Sequence, residues 1–426
     1  SKVFRAKFVC AINQKINDKL LLRFTAQLSK YKTDLDAGQF TDDADYTTTT
    51  KNSVASIGAD YNFGKSKIHF NYNYNQTQRV YLDDSTSISG FAKYSRGEYN
   101  GKAHFVEAYS NLFAAKNADV LVGADYRSQI TDQDYLSISN FGPYTTALGD
   151  SAKVKQLGVY ASVVLKDIQG FNLEVGGRYN HFNKYGDAFT FSFNPSYVIK
   201  NVIKIFGNIT SGFKAPSLYQ VYSEYRNPNT ELKPEKSLSI EGGVQYTKGN
   251  TNLRAVYFIR NVKDVIAFYS AGAPTYASYY VNADKQKDKG LELEATVKFD
   301  KINVTASYTN LDGFIETKTG AKDTAFFNLY RRPRQTINLN IGFAICKNWQ
   351  MNIGIQSISK RFEAVYAAAP IEMPAYYIWN LYSSYHINNK IKIFADFKNI
   401  TDEKYFEVRG YNSRRFNTMA GVAIRL

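Results

Sequence analysis

The feature that most constrains this chain is an alternation of apolar and polar residues that recurs from one end to the other. In one segment the apolar residues are Leu291, Leu293, Ala295, Val297 and Phe299, and between them lie Glu292, Glu294, Thr296 and Lys298. Residues 68–74, 302–308 and 337–343 follow the same pattern. Successive side chains of a strand point to opposite faces, so this period predicts strands with one apolar face. The sequence therefore predicts an all-β fold.

A soluble β-sandwich also gives alternating strands, with the apolar face turned inward. The segments here favour a membrane protein, because they are ~10–13 residues long, as a tilted crossing of the bilayer requires. Globular strands are usually about five or six residues long. The composition agrees, since 34 Tyr and 29 Phe against 2 Trp suit aromatic girdles at the membrane interfaces. No apolar run approaches the ~18 residues of a spanning helix. We therefore expect a transmembrane antiparallel β-barrel.

The connections between the predicted strands alternate between short and long, as in barrels with short periplasmic turns and long outer loops. The short turns lie at 14–18, 63–66, 115–119, 166–170, 199–201, 248–252, 300–301, 346–348 and 388–389. The long connections lie at 32–50, 80–100, 127–152, 212–235, 261–288, 312–332, 361–375 and 401–414, and a brief connection at 183–187 is the one exception in this class. Roughly 19 strands result, and both the first and the last run toward the short-turn side. A closed barrel of this type has an even number of strands, so an odd number is expected before Ser1. We expect residues 1–426 to form one N-terminally incomplete barrel domain.

The net charge of +15 comes from basic residues that are scattered singly, often in turns. A nucleic-acid protein would cluster them on one element, so we expect no nucleic-acid partner and anionic lipid head groups instead. The cysteines, Cys10 and Cys346, lie far apart and are expected to be unpaired. The four histidines have no metal-binding spacing, and no spacing indicates a catalytic triad. The sequence therefore favours a non-enzyme without a catalytic cofactor.

Residues 212–246 read GFKAPSLYQVYSEYRNPNTELKPEKSLSIEGGVQY. Pro216 ends one strand because it lacks an N–H group, and Pro234 introduces the next. Residues 282–293 (NADKQKDKGLEL) and 399–426 (NITDEKYFEVRGYNSRRFNTMAGVAIRL) are equally distinctive. Together these segments resemble TonB-dependent outer-membrane receptors, and RRPRQTINLNIGF at 331–343 resembles the cobalamin-receptor branch. Leu426 departs from the family, whose barrels usually end in an aromatic residue.

The resemblance implies a barrel of about 22 strands, with an N-terminal plug and a TonB-binding segment that this sequence does not contain. It implies an outer-membrane receptor that captures a scarce, bulky nutrient for TonB-driven import. Cobalamin or another corrinoid is the first expectation, and an iron–siderophore or haem is the alternative. TonB is the implied partner, and some receptors of this kind also pair with a surface lipoprotein. A passive porin or surface adhesin is the alternative from another class.

The long connections are rich in tyrosine, which offers a flat apolar face and a hydroxyl to a large amphipathic ligand. The family binds its ligand at this outer mouth, so the expected ligand-binding residues are Tyr219, Tyr222, Tyr225, Arg226, Tyr276, Tyr279 and Tyr280. The alternative is that these side chains only pack within loops or at the membrane interface.

An acidic segment at 34–45 contains Asp34, Asp36, Asp42, Asp43 and Asp45. Carboxylates this close repel one another unless they are solvated or bind a hard cation such as Ca²⁺ through oxygen. The segment lacks the downstream acidic ligand of an EF-hand, but cobalamin receptors carry calcium-binding outer loops in a comparable position. A solvated acidic loop is the ordinary interpretation of such a segment, and a calcium site at these five carboxylates is the alternative hypothesis.

Overall fold

A computed structural model describes residues 3–86, 92–148, 152–225, 232–270, 278–319, 322–326, 330–363 and 370–425. The chain divides into two compact units. Unit 1 contains Ser1–Phe193, Thr210–Lys236 and Asp264–Asn282. Unit 2 contains Asn194–Ile209, Ser237–Lys263 and Ala283–Leu426.

The described residues form 23 strands and one short helix, α1 (Leu218–Tyr222). The strands are β1 (Val3–Lys15), β2 (Leu20–Asp34), β3 (Thr47–Phe63), β4 (Ser66–Asp83), β5 (Ala92–Ala115), β6 (Ala118–Ser139), β7 (Gly142–Leu148), β8 (Lys153–Ile168), β9 (Phe171–Phe182), β10 (Gly186–Ile199), β11 (Ile203–Lys214), β12 (Glu235–Lys248), β13 (Thr251–Ser270), β14 (Ser278–Phe299), β15 (Ile302–Thr319), β16 (Lys322–Phe326), β17 (Gln335–Cys346), β18 (Trp349–Ile358), β19 (Arg361–Glu363), β20 (Ile371–Met373), β21 (Tyr376–His386), β22 (Ile391–Lys398) and β23 (Asn417–Ile424).

In unit 1, β1 to β6 pair antiparallel in chain order, β6 pairs with β8, and β8 pairs with β9. Strand β7 folds back on the far end of β6. The β3–β4 ladder runs without interruption from Thr47 opposite Leu82 to Phe63 opposite Ser66. In unit 2, β14, β15, β17, β18, β21, β22 and β23 pair antiparallel in that order. The short strand β16 extends the hairpin of β15, and β19 and β20 form a separate pair.

The apolar face of the strands is exposed, and this observation separates the two candidate all-β folds. Along β12, Leu238, Ile240 and Val244 are 38%, 47% and 44% exposed. A soluble sheet would bury such side chains, whereas a membrane protein turns them toward lipid. On the polar face, Arg23 and His69 bond to Asp60 Oδ1 at 2.8 and 2.7 Å. The lipid-facing interpretation of the alternation is therefore the correct one.

The nine short turns predicted from the sequence all connect consecutive strands. The turn between β10 and β11 is an example, because Lys200 and Asn201 have φ angles of 49° and 55°. The Val202 N–H donates to the Ile199 carbonyl at 3.0 Å. Two left-handed residues in a tight turn match the right-handed twist of the flanking strands.

The strands extend further on the long-loop side than the sequence predicts. Strand β5 has 24 residues, against the ~10–13 expected for a membrane crossing. Much of residues 80–100, 127–152, 261–288 and 312–332, predicted as connections, instead continues the hairpins. The reason is physical: beyond the bilayer neither face meets lipid, so backbone pairing persists while the apolar alternation that reveals a strand disappears.

Four short strands of the described residues, β7, β16, β19 and β20, lie within long connections. The remaining strands number nineteen, which confirms the predicted count. Strand β11 ends just before Ala215 and Pro216, and β12 begins just after Pro234, as the proline positions predict. No described helix is both long and apolar enough to cross a membrane.

Candidate ligand-binding site

The helix α1 in unit 1 carries two of the predicted tyrosines, and its N-terminus is fixed by a capping box. The Ser217 hydroxyl accepts from the Gln220 N–H at 3.2 Å. The Gln220 side-chain oxygen accepts from the Ser217 N–H at 2.9 Å. At the other end, the Ser223 N–H donates to the Tyr219 carbonyl. This reciprocal capping allows a single helical turn to persist in a loop.

A small apolar cluster in unit 1 supports the helix. Val154, Phe182 and Ala188 are buried, and Phe213 and Leu218 pack against them. The rings of Phe182 and Phe213 stack with centroids 5.2 Å apart. Burying each such side chain contributes about 1.5–3 kcal/mol, so the helix has a firm attachment to the ends of the strands.

Glu224 follows the helix and accepts hydrogen bonds from three side chains. The Gln133 amide donates to Glu224 Oε2 at 2.8 Å, and the hydroxyls of Tyr99 and Tyr219 donate to Oε1 at 3.2 and 3.3 Å. Gln133 is only 3% exposed, and hydrogen bonds to a charged acceptor are stronger than neutral ones. Glu224 therefore joins β5, β6 and α1 at one point.

Six aromatic rings of unit 1 form a continuous chain beside this carboxylate, which we call the aromatic chain. Neighbouring centroids lie 5.2–6.4 Å apart, within the range of favourable aromatic pairs. In order of contact the members are Tyr81, Tyr99, Tyr219, Tyr280, Phe268 and Tyr225.

A cavity of about 610 Å³ lies against part of the aromatic chain. Its lining includes Tyr46, Tyr81, Tyr99, Tyr135, Tyr219, Tyr225, Glu224 and Arg79. Arg79 is held in place, because its Nε donates to the Thr50 hydroxyl at 3.2 Å and its Nη1 to the Tyr81 hydroxyl at 3.4 Å. The cavity thus offers flat apolar faces, phenol hydroxyls, one carboxylate and one guanidinium to a ligand of several hundred Å³.

The phenols of the loops around this cavity stay neutral at physiological pH. Burial raises the pKa of Tyr219 and Tyr225 above the ordinary value, and the negative charge of Glu224 adds to the effect. Burial, together with Tyr81 and Asp83, raises the pKa of Tyr46 to about 12. These hydroxyls therefore remain hydrogen-bond donors in any condition a cell provides.

The structure brings together three of the seven residues predicted to bind ligand: Tyr219, Tyr225 and Tyr280. Tyr222 lies on α1 but packs under the ammonium of Lys184, which is 4.3 Å from its ring centroid. Tyr279 packs on Tyr269 instead of on the aromatic chain. Arg226 and Tyr276 lie outside the described residues.

Tyr81, Tyr99, Gln133, Glu224 and Phe268 are not among the residues predicted to bind ligand. Tyr81, Tyr99 and Phe268 lie on strand segments within the predicted long connections, where the sequence does not indicate which face a side chain occupies. Glu224 lies between Tyr222 and Tyr225 in the sequence. It could have been predicted, because it is a single acidic residue within a tyrosine-rich segment.

A second polar group in unit 1 consists of Asp43, Asp45 and Asp83, which we call the carboxylate cluster. One carboxylate oxygen from each lies within 4.8 Å of the other two. Asp43 Oδ1 accepts from the backbone N–H groups of Asp45 and Tyr46 at 3.0 and 3.1 Å. Asp43 and Asp83 are each 8% exposed.

The carboxylate cluster overlaps only partly with the predicted set. Asp43 and Asp45 belong to it, whereas Asp34, Asp36 and Asp42 do not, and Asp36 and Asp42 are exposed. Asp83, the last residue of β4, was not anticipated because it is remote in sequence. Burial and the charges of Asp43 and Asp45 raise the pKa of Asp83 to about 6. The ordinary pKa of this carboxyl is 3.8, so the three groups resist being charged together.

Comparison with known structures agrees with this architecture. The ferripyoverdine receptor of the outer membrane of Pseudomonas aeruginosa, bound to ferripyoverdine, has a TM-score of 0.78 at 14% identity. The siderophore receptor PirA from Acinetobacter baumannii has a TM-score of 0.76 at 15% identity. The copper transporter OprC has a TM-score of 0.82 at 12% identity. In each case 99% of this chain is covered, together with 65%, 71% and 72% of the other chain.

At such identities the similarity establishes the fold, and the chain spans roughly two thirds of the length of the structures it matches. Family membership rests on the sequence itself. Residues 12–400 match the family described as TonB dependent receptor-like, beta-barrel. The match covers most of the chain and contains the motif at 212–246. The chain belongs to the TonB-dependent receptor β-barrel family, whose members are integral proteins of the bacterial outer membrane.

Proposed function

We propose that this chain supplies the barrel of an outer-membrane receptor that captures a ferric siderophore for TonB-driven import. The observation that carries the proposal is the aromatic chain beside Glu224, with its adjoining cavity of about 610 Å³. The rings lie on α1, next to it, or on those ends of β4, β5, β13 and β14 that are remote from the short turns. A ligand arriving from outside would meet these residues first.

The chemistry of the cavity suits a siderophore complex. Ferric siderophores are bulky chelates with flat or peptide-like organic shells and many hydroxyl, amide and carboxylate groups. Tyrosines give such a shell large contact area at a small cost in conformational entropy, and their hydroxyls bond its oxygens. Arg79 and Glu224 add one charge of each sign, which would fix the orientation of the shell.

The neighbours support a siderophore more than the corrinoid that the sequence first suggested. Two of the similar structures are described as receptors of siderophores or ferripyoverdine, and the family description names no ligand. Cobalamin remains the competing ligand, on the strength of the motif at 331–343 alone. A bare copper ion fits less well, because the described residues that line the cavity include no Cys, Met or His.

Energy coupling is part of the same proposal. Receptors of this family use TonB through an N-terminal segment, which would belong to a plug outside this sequence. A surface lipoprotein that hands over ligand is a further partner to be tested. A passive porin or an adhesin is disfavoured, since the family is one of receptors.

We also propose that the carboxylate cluster binds calcium. Three carboxylates supply the oxygen ligands that a hard cation prefers. Asp43 is more than nine-tenths buried, and its Oδ2 has no hydrogen-bond partner among the described residues. The buried hydroxyl of Thr48 has none among them either. In the β3–β4 ladder, Thr48 lies opposite Tyr81, which precedes Asp83 by two residues. A buried, unpartnered carboxylate oxygen is costly, and a cation would offset that cost.

Calorimetric titration of the full-length protein with CaCl₂ tests this site. We expect Asp83→Asn to weaken binding by at least about tenfold, the equivalent of ~1.4 kcal/mol. Asp42→Asn is the matched control, because Asp42 is exposed and lies outside the carboxylate cluster. Equal binding by the wild type and Asp83→Asn would exclude calcium at this cluster, as would an absence of heat in the wild type.

The ligand is tested by titrating the full-length receptor with a panel of ferric siderophores and with cyanocobalamin. The proposal predicts that at least one ferric siderophore binds with sub-micromolar affinity, which is about −8 kcal/mol or better. Tight binding of cyanocobalamin with no response to any siderophore would show that the corrinoid interpretation is correct. Growth of a deletion strain on each iron source provides an independent readout.

A further inference from the structure

Lysines mark the short-turn end of the strands throughout the described chain. Each of the nine short turns, or the residue next to it, carries at least one. One lysine from each turn in chain order gives Lys15, Lys65, Lys116, Lys166, Lys200, Lys248, Lys301, Lys347 and Lys390. In unit 2 the short turns and the residues next to them include Lys200, Lys248, Lys301, Lys347 and Lys390, and Asp300 is the one acidic residue within these turns. The short turns of unit 2 are therefore strongly basic.

Several of these lysines in unit 2 are free to meet a ligand. Lys200, Lys248, Lys347 and Lys390 are exposed, and none takes part in an ion pair of the described residues. Exposed apolar side chains flank the turns: Ile199, Ile203, Trp349 and Ile387 are between 36% and 52% exposed. Apolar and aromatic residues next to basic ones are the pattern of a membrane–water interface.

The apolar face of unit 2 has a groove near these turns. Its volume is about 530 Å³, and its apolar-face lining is Val244, Tyr246, Leu253, Ala255, Leu293, Ala295, Ala306, Tyr308 and Ile337. Ala295 lies opposite Ala306 in the β14–β15 ladder. Along each strand a larger side chain stands on either side of the alanine, Leu293 and Val297 in β14 and Val304 and Tyr308 in β15. The paired alanines thus leave a depression between taller neighbours.

The depth of the groove matches one leaflet of a bilayer. Ala295 is four residues from Phe299, where β14 ends at its short turn, which is about 14 Å along a strand. At a tilt of ~45° that is about 10 Å of depth, inside the ~15 Å half-thickness of the hydrocarbon core. A chain anchored at the turn would reach the groove.

We propose that the short-turn end of unit 2 binds an anionic glycerophospholipid of the periplasmic leaflet. The lysines of the turns attract the phosphate head group, with Lys248 and Lys301 at the turns that bound the groove, and an acyl chain lies in the groove formed around Ala255, Ala295 and Ala306. Charge complementarity selects the head group, since a basic residue near an anionic membrane surface contributes about 1 kcal/mol. The proposal does not depend on the identity of the imported ligand.

Native mass spectrometry of the full-length receptor tests this, with dimyristoyl phosphatidylglycerol and dimyristoyl phosphatidylcholine as probes. We expect the wild type to retain the anionic lipid preferentially. Lys248→Gln is expected to lower that preference about fivefold, and the quadruple variant at Lys200, Lys248, Lys347 and Lys390 to abolish it. The matched control changes four exposed lysines of the opposite side: Lys32, Lys236, Lys263 and Lys404.

The groove is tested separately by Ala306→Phe, which fills it. This variant is expected to retain less of either lipid, whereas Ile341→Phe, on the same face but outside the groove, retains as much as the wild type. Equal retention of both lipids by the wild type would overturn the proposal. An equal loss of the anionic lipid in the control quadruple variant would overturn it as well.

Discussion

The paired strands and the aromatic chain differ in how the sequence determines the surroundings of each side chain. Along a strand, the surroundings depend on whether the position is odd or even, as Val244 on the apolar face and Gln245 on the polar face illustrate. In the aromatic chain, the environment depends on contacts between distant segments, because Tyr81, Tyr219 and Phe268 come from β4, α1 and β13. The strand pattern is thus encoded by neighbouring residues in the sequence, whereas the arrangement of the aromatic chain depends on the tertiary fold.

The largest expected effect comes from a charged residue on the apolar face of a strand. Val244→Arg places a charge on the face that meets lipid, and we expect a loss of about 2–4 kcal/mol in the free energy of unfolding if the residue lies near the bilayer midplane. Gln245→Arg, one residue along, is the matched control and should cost far less. Urea unfolding of the full-length protein in lipid vesicles measures both. Equal losses would contradict the assignment of the two faces.

The next largest effect is expected when Glu224, which connects three side chains of the proposed ligand site, is replaced. Glu224→Ala removes the acceptor of three side chains and leaves the buried Gln133 amide unpaired, at about 1–3 kcal/mol. We expect ligand affinity to fall about tenfold or more. Glu224→Gln keeps one acceptor oxygen and should lose less. A binding titration that finds both variants equal to the wild type would show that Glu224 does not organise the site.

Calcium binding at the carboxylate cluster is expected to depend on pH. Because the pKa of Asp83 is about 6, calcium binding requires this group to lose its proton. We expect affinity to fall about tenfold between about pH 7 and pH 5. Without the cation, Asp83 keeps its proton to a higher pH in the folded protein than in the unfolded chain. The free energy of unfolding therefore decreases as pH rises from about 4 to about 6. A calcium affinity that is flat across this range would contradict the role of Asp83.

The smallest effect is expected at the short turns. Lys15 and Asp18 form an ion pair at 2.6 Å, with side chains 66% and 97% exposed. Such exposed pairs contribute little, so Asp18→Asn should change the free energy of unfolding by less than about 0.5 kcal/mol. Urea unfolding under the same conditions as for Val244→Arg measures it. A loss above 1 kcal/mol would show that this turn does more than connect two strands.

The same contrast explains what could be predicted from the sequence. Strand number, face assignment and all nine short turns follow from period-two alternation and turn residues, since each depends on neighbours in the chain. Tyr219 and Tyr225 were found through the motif that contains them. Tyr99, Gln133 and Asp83 were not, because β4, β5 and β6 extend beyond the bilayer, where lipid no longer imposes a pattern on the residues.

Two tyrosines of the same helical turn distinguish capture of the ligand by the aromatic chain from a purely structural role of these rings. Tyr219 belongs to the aromatic chain, whereas Tyr222 packs under Lys184. Titration of the full-length receptor with the ferric siderophore that it is proposed to bind should show a loss of at least about tenfold for Tyr219→Ala, as is typical of an aromatic residue at the centre of a binding site. Tyr222→Ala should stay within about twofold of the wild type. Equal affinities for the two variants, or a larger loss for Tyr222→Ala, would show that the aromatic chain does not capture the ligand.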